Sequence, residues 1–333
     1  MRFDRILPIL MLAFCGAAAA QPYPSKPIRV VMGFPPGTTV DVLMRPIAQR
    51  LTEALGQPVV IDNRPGATGI IAIETVVRAP ADGYTLLATP GSALTSSPHL
   101  HSKITFDTLR DLKPVIQLGA FSYVLIAHPG VPAKTVKELI ALARAKPGVL
   151  TYGSTGLGSG FHLAGELFAS MAKINLSHVP YKGGPAVVTD MLGGRIDLMF
   201  YSLAVVLPQV RAERLRAIAV TGLTRDLLLP EVPTVAESGL PKYEIGGWHG
   251  LFAPAATPSA VVAQLNTAVA RILGTAEIKS LWTSQGMGIV SGGPEAFAAL
   301  VKSDYEKYGA LIRSAGIKRS EEHTSELQSR ETI

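Results

Sequence analysis

The sequence predicts a two-lobed α/β protein, and three observations lead there. Apolar strand-like runs alternate with helical patterns from Lys26 to about residue 312, the series restarts after residue 120, and nearly 300 residues favour two cores over one. In the first series, Ile28-Arg29-Val30-Val31-Met32 reads as a buried strand. A helix follows from Thr39, with Val40, Leu43, Ile47, Leu51 and Leu55 at three- and four-residue steps and Pro46 as an expected kink. Val59 to Ile61 (strand), Ile70 to Val77 (helix) and Tyr84 to Ala88 (strand) complete a βαβαβ start. That pattern predicts a largely parallel sheet.

The second series runs Tyr123 to Ala127 (strand), a helix capped by Thr135 and ending at Ala145, Leu150 to Tyr152 (strand) and Phe161 to Met171 (helix). Ser177 to Pro180 (strand), Val187 to Leu192 (helix), and strands at Ile196 to Phe200 and Leu215 to Thr221 follow. Leu251 to Ala255 returns to the first lobe, which helices between Ser259 and Ile312 complete. The expected division is 21–121 with 247–318 for the first lobe and 122–246 for the second.

The two ends read differently. Arg2 and Arg5, the apolar run Ile6 to Phe14 and Ala18-Ala19-Ala20 form a cleavable secretory leader over residues 1–20, too short to span a bilayer. Residues 319–333 are polar, lack an apolar stripe and resemble a translated sequencing adapter, so they are set apart as a non-native tail. Between the two ends 27 basic and 20 acidic residues remain, a mildly basic surface that suits an anionic ligand. Lys and Arg are scattered, with no helix-turn-helix, zinc finger or aromatic-basic pattern, so no nucleic-acid partner is expected. The sole cysteine, Cys15, lies in the leader, which leaves no disulfide, thiol nucleophile or cysteine metal ligand.

Three strand-to-helix loops share a composition rich in Gly, Ser and Thr. They are Gly33 to Asp41, Thr89 to Ala93, and Tyr152 to Gly160. Glycine permits close backbone approach, hydroxyls donate hydrogen bonds, and the unpaired amides of a helix N-terminus favour an anion. One such loop alone is more often a turn and a cap. Three facing one cleft at the carboxyl ends of strands point to binding.

Enzyme motifs fail. Phe161 stands where Gly-x-Gly-x-x-Gly needs its last glycine, and neither Ser154 nor Ser159 sits in Gly-x-Ser-x-Gly. A hydrolase pairing Ser159 or Ser154 with His162 is the weak enzymatic alternative, since no orienting carboxylate stands out. His99 and His101 read as surface residues, and no metal-ligand spacing appears.

The sequence resembles the substrate-binding receptors of tripartite tricarboxylate transporters, the Bug family. The resemblance is carried by Tyr23-Pro24-Ser25-Lys26-Pro27-Ile28-Arg29, Gly56-Gln57-Pro58-Val59-Val60, Asn63-Arg64-Pro65-Gly66-Ala67 and Asp82-Gly83-Tyr84-Thr85-Leu86-Leu87. Further matches are Tyr152-Gly153-Ser154, His162 to Phe168, His178-Val179-Pro180-Tyr181-Lys182-Gly183 and Pro230 to Gly239. It implies a periplasmic-binding-protein (Venus-flytrap) fold, each lobe a mostly parallel sheet flanked by helices, closing on a small carboxylate. It also implies membrane permease subunits as partners and neither cofactor nor catalysis; with the leader it places the protein in the Gram-negative periplasm, and a monomer is the default expectation. The resemblance implies ligand contacts at Phe34, Gly37, Thr38, Thr39 and Asp41 and at Ser154, Thr155, Ser159 and Gly160; Pro36, Ser92, Ala93, His162, Tyr181, Tyr201 and Ser202 complete the candidate ligand-binding residues. A periplasmic sensor with the same fold and ligand is the alternative role.

Two departures from the family pattern bear on the ligand. Thr38 stands where a second glycine is usual, and Phe200-Tyr201-Ser202 replaces a stretch that often carries an acidic residue. Loss of that acid suits a mono- or dicarboxylate without an ammonium group, with Tyr201 as a stacking face for an aromatic one.

Overall fold

The computed structural model describes residues 23–317 except 182, 285 and 291. The leader at 1–20 and the tail at 319–333 therefore lie outside the described residues. The first unit is β1 (Ile28–Met32), α1 (Thr39–Leu55), β2 (Val59–Asn63), α2 (Ile70–Val77) and β3 (Thr85–Pro90), with β1 parallel to both β2 and β3. Side-chain alternation explains the layering. Val30 and Met32 pack with Leu43, Met44, Ile47 and Leu51 of α1, while Val31 packs with Ile70, Ile73 and Val76 of α2 on the other face. Gly56, at φ +66, ends α1 in the left-handed conformation with its amide on the Thr52 carbonyl.

Three short helices that periodicity does not announce come next: α3 (Gly91–Thr95), α4 (Ser97–Leu100) and α5 (Thr108–Asp111). They lead into β4 (Leu112–Ala127), of which the sequence pattern marked only the last five residues. Register shifts between Pro114 and Ile116 and between Gln117 and Gly119 break the alternation that would have announced the rest.

The second lobe follows with α6 (Val136–Ala145), β5 (Thr151–Ser154), α7 (Gly160–Ala172), β6 (Ser177–Pro180), α8 (Gly184–Leu192), β7 (Leu198–Ser202), α9 (Leu203–Arg211) and β8 (Arg216–Val220). The chain closes with β9 (Gly246–Pro254), α10 (Ser259–Leu273), α11 (Ala276–Ser284) and α12 (Pro294–Ser314). Thr135 caps α6 by accepting from the Glu138 amide, as its position predicts.

The strand order is β2-β1-β3-β9-β4-β7-β5-β6, with β8 also on β4. Pairing is parallel within β1–β3 and within β5–β7, whereas β4 and β9 run antiparallel to their neighbours, so the sheet is mixed. β4 joins the lobes. Residues 112–122 pair with β9, and the next residues pair with β7 and β8. The return crossing is pinned there too, because the Thr221 hydroxyl accepts from the Tyr123 amide at 2.7 Å and the Ile245 amide donates to the Thr221 carbonyl at 3.1 Å. α12 belongs to both cores: Phe297 and Val301 lie with Trp248 and Phe252 of the first lobe, and Tyr308, Leu311 and Ile312 lie with Tyr152 and Phe168 of the second. An amphipathic stripe shows that a helix is buried without showing against what.

Candidate functional site

The first loop leaves β1 at Gly33, where the backbone runs against another backbone. A Cβ on Gly33 would stand 2.4 Å from the Gly69 Cα, and one on Gly69 would meet Phe34 and Ala93. The loop after β1, the turn before α2 and the start of α3 are thus packed together at the carboxyl ends of β1–β3. Gly37 turns at φ +83 and donates its amide to Asp41 Oδ2 at 2.9 Å. The Thr38 hydroxyl donates to the Pro35 carbonyl at 2.8 Å, and Thr38 makes no side-chain cap on α1.

Asp41 itself is turned inward and buried. Its carboxylate accepts from Arg45 Nε and Nη2, both at 2.8 Å, from Asn63 Nδ2 at 3.2 Å and from Gly37. The Arg45 hydrogen bonds hold its carboxyl below the usual range. Asn63 also donates to the Phe34 carbonyl at 2.9 Å. Asp41 and Asn63 therefore brace the loop from within.

The segment 91–100 links the lobes. Gly91 packs under Trp248, Ser92 is half-buried, and Ala93 is buried beside Gly69. At its far end the Ser96 hydroxyl donates to the Gly158 carbonyl of the second lobe at 2.7 Å. Leu100 enters the second-lobe core and fills the space that a Cβ on Gly158 would occupy.

The second-lobe loop is held from beneath. Ser154 is fully buried; its Oγ lies 2.7 Å from His178 Nε2 and accepts from the Gly156 amide at 3.1 Å. Ser159 caps α7 by accepting from the His162 amide, and its hydroxyl donates to the Gly156 carbonyl at 2.8 Å. His162 Nδ1 accepts from the Gly158 amide at 3.0 Å, and its Nε2 lies 3.6 Å from Glu166 Oε1. The His162 and His178 rings stack with centroids 4.0 Å apart, and Tyr152 stacks on His178 while its hydroxyl donates to Glu166. Burial, with the neighbouring His178 adding to it, pushes His162 down to about 3; burial alone pushes His178 to about 4. Both imidazoles are neutral at ordinary pH. Thr155 and Gly160 are half-buried.

Side chains from β4, α7 and β7 form an aromatic floor beside the loop. Tyr123 packs edge-on to Phe161 at 4.8 Å, and Phe161 tilts against Tyr201 at 4.6 Å. Gly160 lies against the Tyr123 hydroxyl and Gly184 against that of Tyr201, which burial pushes up to about 12. The Tyr201 ring is enclosed by these contacts. Ser202 precedes α9 without capping it through its side chain. Tyr181 is directed away: its hydroxyl donates to Asp190 Oδ2 at 2.7 Å, and Arg195 donates to the other oxygen.

The structure thus brings Phe34 to Ala93 and the 154–160 loop to Ser96, both on the 91–100 segment. It assigns the side chains of Asp41, Ser154, His162 and Tyr181 to internal contacts. Sequence reasoning did not single out Ser96, His178, Asn63, Tyr123 or Phe161. Asn63 and His178 lie inside family-like stretches, but nothing local announces their partners. One cavity of about 570 Å³ lies between α1 and α10, lined by Leu55, Ala268 and Ile272. Another of about 800 Å³ lies at the crossing strands, lined by Phe121, Ser122 and Gly247. Neither is lined by the Gly-rich loops.

Residues 43–317 match the model of the tripartite tricarboxylate transporter family receptor. The chain is 38% identical over 291 residues to the "UPF0065 protein in tcbD-tcbE intergenic region" of Pseudomonas sp. (strain P51), covering 87% of this chain and 86% of that one. Among solved structures it is similar to R. palustris Rpa4515 with adipate (34% identity, TM-score 0.80, 90% of this chain and all of that one). It is also similar to MatC from Rhodopseudomonas palustris with bound malate (28% identity, TM-score 0.77, 87% of this chain and all of that one). The chain belongs to the tripartite tricarboxylate transporter receptor family.

Proposed function

We propose that this receptor captures a small mono- or dicarboxylate in the periplasm and, once closed, hands it to membrane permease subunits, without catalysing a reaction. The observation that carries the reading is the gathering of two Gly-rich loops, which open α1 and α7, around the single segment 91–100. Helix N-terminal amides and hydroxyls there suit a carboxylate without any arginine or lysine. Adipate in one similar structure and malate in another support the ligand class.

The Phe200-Tyr201-Ser202 stretch carries no carboxylate, which favours an acid lacking an ammonium group. The enclosure of Tyr201 by Phe161 and Gly184 favours an aliphatic acid over a stacked aromatic one. A hydrolase reading finds little support, because Ser154 is fully buried and Ser159 is occupied in capping α7.

A thermal-shift panel of aliphatic dicarboxylates, benzoate and amino acids tests the proposal. A ligand at a hundred times its Kd adds about 2.7 kcal/mol, enough to raise Tm by a few degrees. Adipate, malate or succinate should shift the protein, and calorimetry should show much weaker binding of aspartate than of succinate. A flat panel, or equal affinities for that pair, would overturn the ligand class.

A further inference from the structure

Beneath the 154–160 loop lies a polar cluster in which Ser154 and His162 are buried and His178 is half-buried. Ser154 is completely enclosed and His162 nearly so, yet both have hydrogen-bond partners on the loop above them. The proton positions follow from the network. The Gly156 carbonyl already accepts from the Ser159 hydroxyl at 2.8 Å and the Ser159 amide at 3.2 Å. The Ser154 hydroxyl also reaches that carbonyl, at 3.1 Å, but His178 Nε2 is nearer at 2.7 Å, so its proton is assigned to the imidazole while its oxygen accepts from the Gly156 amide. His162 must be unprotonated at Nδ1 to accept from Gly158, which places its proton on Nε2, facing Glu166.

The two imidazoles thus act as acceptors and fix successive peptides of the loop from below. One reaches Gly156 through Ser154, and the other holds Gly158 directly. Gly156 at φ +125 and Gly158 at φ +78 are in conformations that only glycine adopts readily, so the loop has little intrinsic preference for this shape. The bracing matters at the lobe interface as well, because the peptide carbonyl of Gly158 is the group that accepts from Ser96 across the cleft.

We infer that His178 and His162 are positioning residues for ligand capture: the stacked imidazoles preset the 154–160 loop, His178 through Ser154 and His162 through the Gly158 amide, in the shape that receives the anion and meets Ser96. This rests on the receptor reading above. The paired Ser154 and His178 do not form a nucleophile and base, since the serine is sealed from solvent and Glu166 faces Tyr152 and His162.

The experiment compares the wild type with His178→Phe, which keeps a ring but loses the acceptor, and His178→Gln, whose carbonyl oxygen restores an acceptor near the Nε2 position. The probes are adipate, malate and succinate, with affinities measured by calorimetry. Amide hydrogen exchange at Gly156 and Gly158 is followed in the ligand-free proteins. His178→Phe should bind at least tenfold more weakly and exchange faster at Gly156, and His178→Gln should recover affinity to within about threefold. If His178→Phe fails to fold, Ser154→Ala removes the same link and should speed exchange at Gly156 in the same way. Unchanged exchange at Gly156 in these variants overturns the inference, as does equal loss of affinity in His178→Phe and His178→Gln. A wild type that binds none of the probes overturns the carboxylate reading instead, while the exchange rates still decide whether the imidazoles hold the loop.

Discussion

The Ser96 hydroxyl of the first lobe donates to the Gly158 carbonyl of the second at 2.7 Å, across a sequence separation of 62 residues. Its single hydroxyl proton is shared with the Ser92 carbonyl of its own segment, also 2.7 Å away. Ser96→Ala should lower the melting temperature of the ligand-free protein only modestly and weaken ligand binding about three- to tenfold. That corresponds to the roughly 1 kcal/mol of one neutral hydrogen bond. Calorimetry with adipate or succinate checks it; a large loss of thermal stability with unaltered affinity would contradict the assignment.

Gly158 provides a sharper probe of the same contact. Its φ is +78, and a Cβ there would lie 2.2 Å from Leu100 Cδ1. Gly158→Ala should both strain the loop and push the lobes apart. We expect a stability loss of about 1–3 kcal/mol and a larger radius of gyration by X-ray scattering. Leu100→Ala in the same background should relieve the clash but not the strain.

Acid should destabilise the protein through its buried histidines. His162 is pushed down to about 3, and His178 and His249 to about 4, in each case chiefly by burial. Their unfolded counterparts take up protons near pH 6.5. The stability they contribute is thus complete above about pH 6.5 and falls progressively as the pH drops towards the folded values. Each contributes up to about 1.4 kcal/mol per pH unit. Urea unfolding at pH 7, 6 and 5 measures the slope.

His249 can be separated from the other two. Both its ring nitrogens are buried without a hydrogen-bond partner among the described residues, and its ring stacks on Phe121 with centroids 5.6 Å apart. His249→Phe removes two unsatisfied polar atoms and keeps a ring. It should leave the protein as stable or more so at pH 7, by about 1 kcal/mol. It should also lower the pH 5–6 slope by about one proton, and a stability loss of 2 kcal/mol or more would show that His249 has a partner.

Asp41 acts at the opposite end of the titration range. Its Arg45 hydrogen bonds hold it below the usual carboxylate value, so its contribution is present above about pH 4 and is lost as pH falls through the folded value. Asp41→Asn weakens its bonds with Arg45 and can still accept from Gly37. We expect a loss of about 1–2 kcal/mol and weaker ligand binding, because the Gly37 turn loosens. Thr38→Trp should instead abolish binding by filling the cleft mouth with little change in Tm.

Much of the fold could be read along the chain. Three-and-four spacing of Val40, Leu43, Ile47 and Leu51 made α1, Thr135 started α6, and the continuous apolar run Val30-Val31-Met32 predicted a strand covered on both faces, since these rules are local. The Gly-rich loops were legible for the same reason: a strand end, glycines and a helix start are neighbours in sequence. β4 was read only in its last third, because Pro114, Gly119 and two bulges hide the alternation of a strand that is a single ladder in space.

The sequence alone determined most of the longer helices and the shorter strands, and which loops are rich in glycine and hydroxyls at a helix start. The tertiary structure decided what those loops stand on and what they meet. His178 reaches Ser154 because β6 pairs with β5. Ser96 reaches Gly158 because Leu100, four residues further on, is seated in the second-lobe core. Asp41, Ser154 and His162 became internal braces for a similar reason. Whether a polar side chain faces the cleft or the core depends on the distant partners that the strand order brings to it, and no local periodicity records that order.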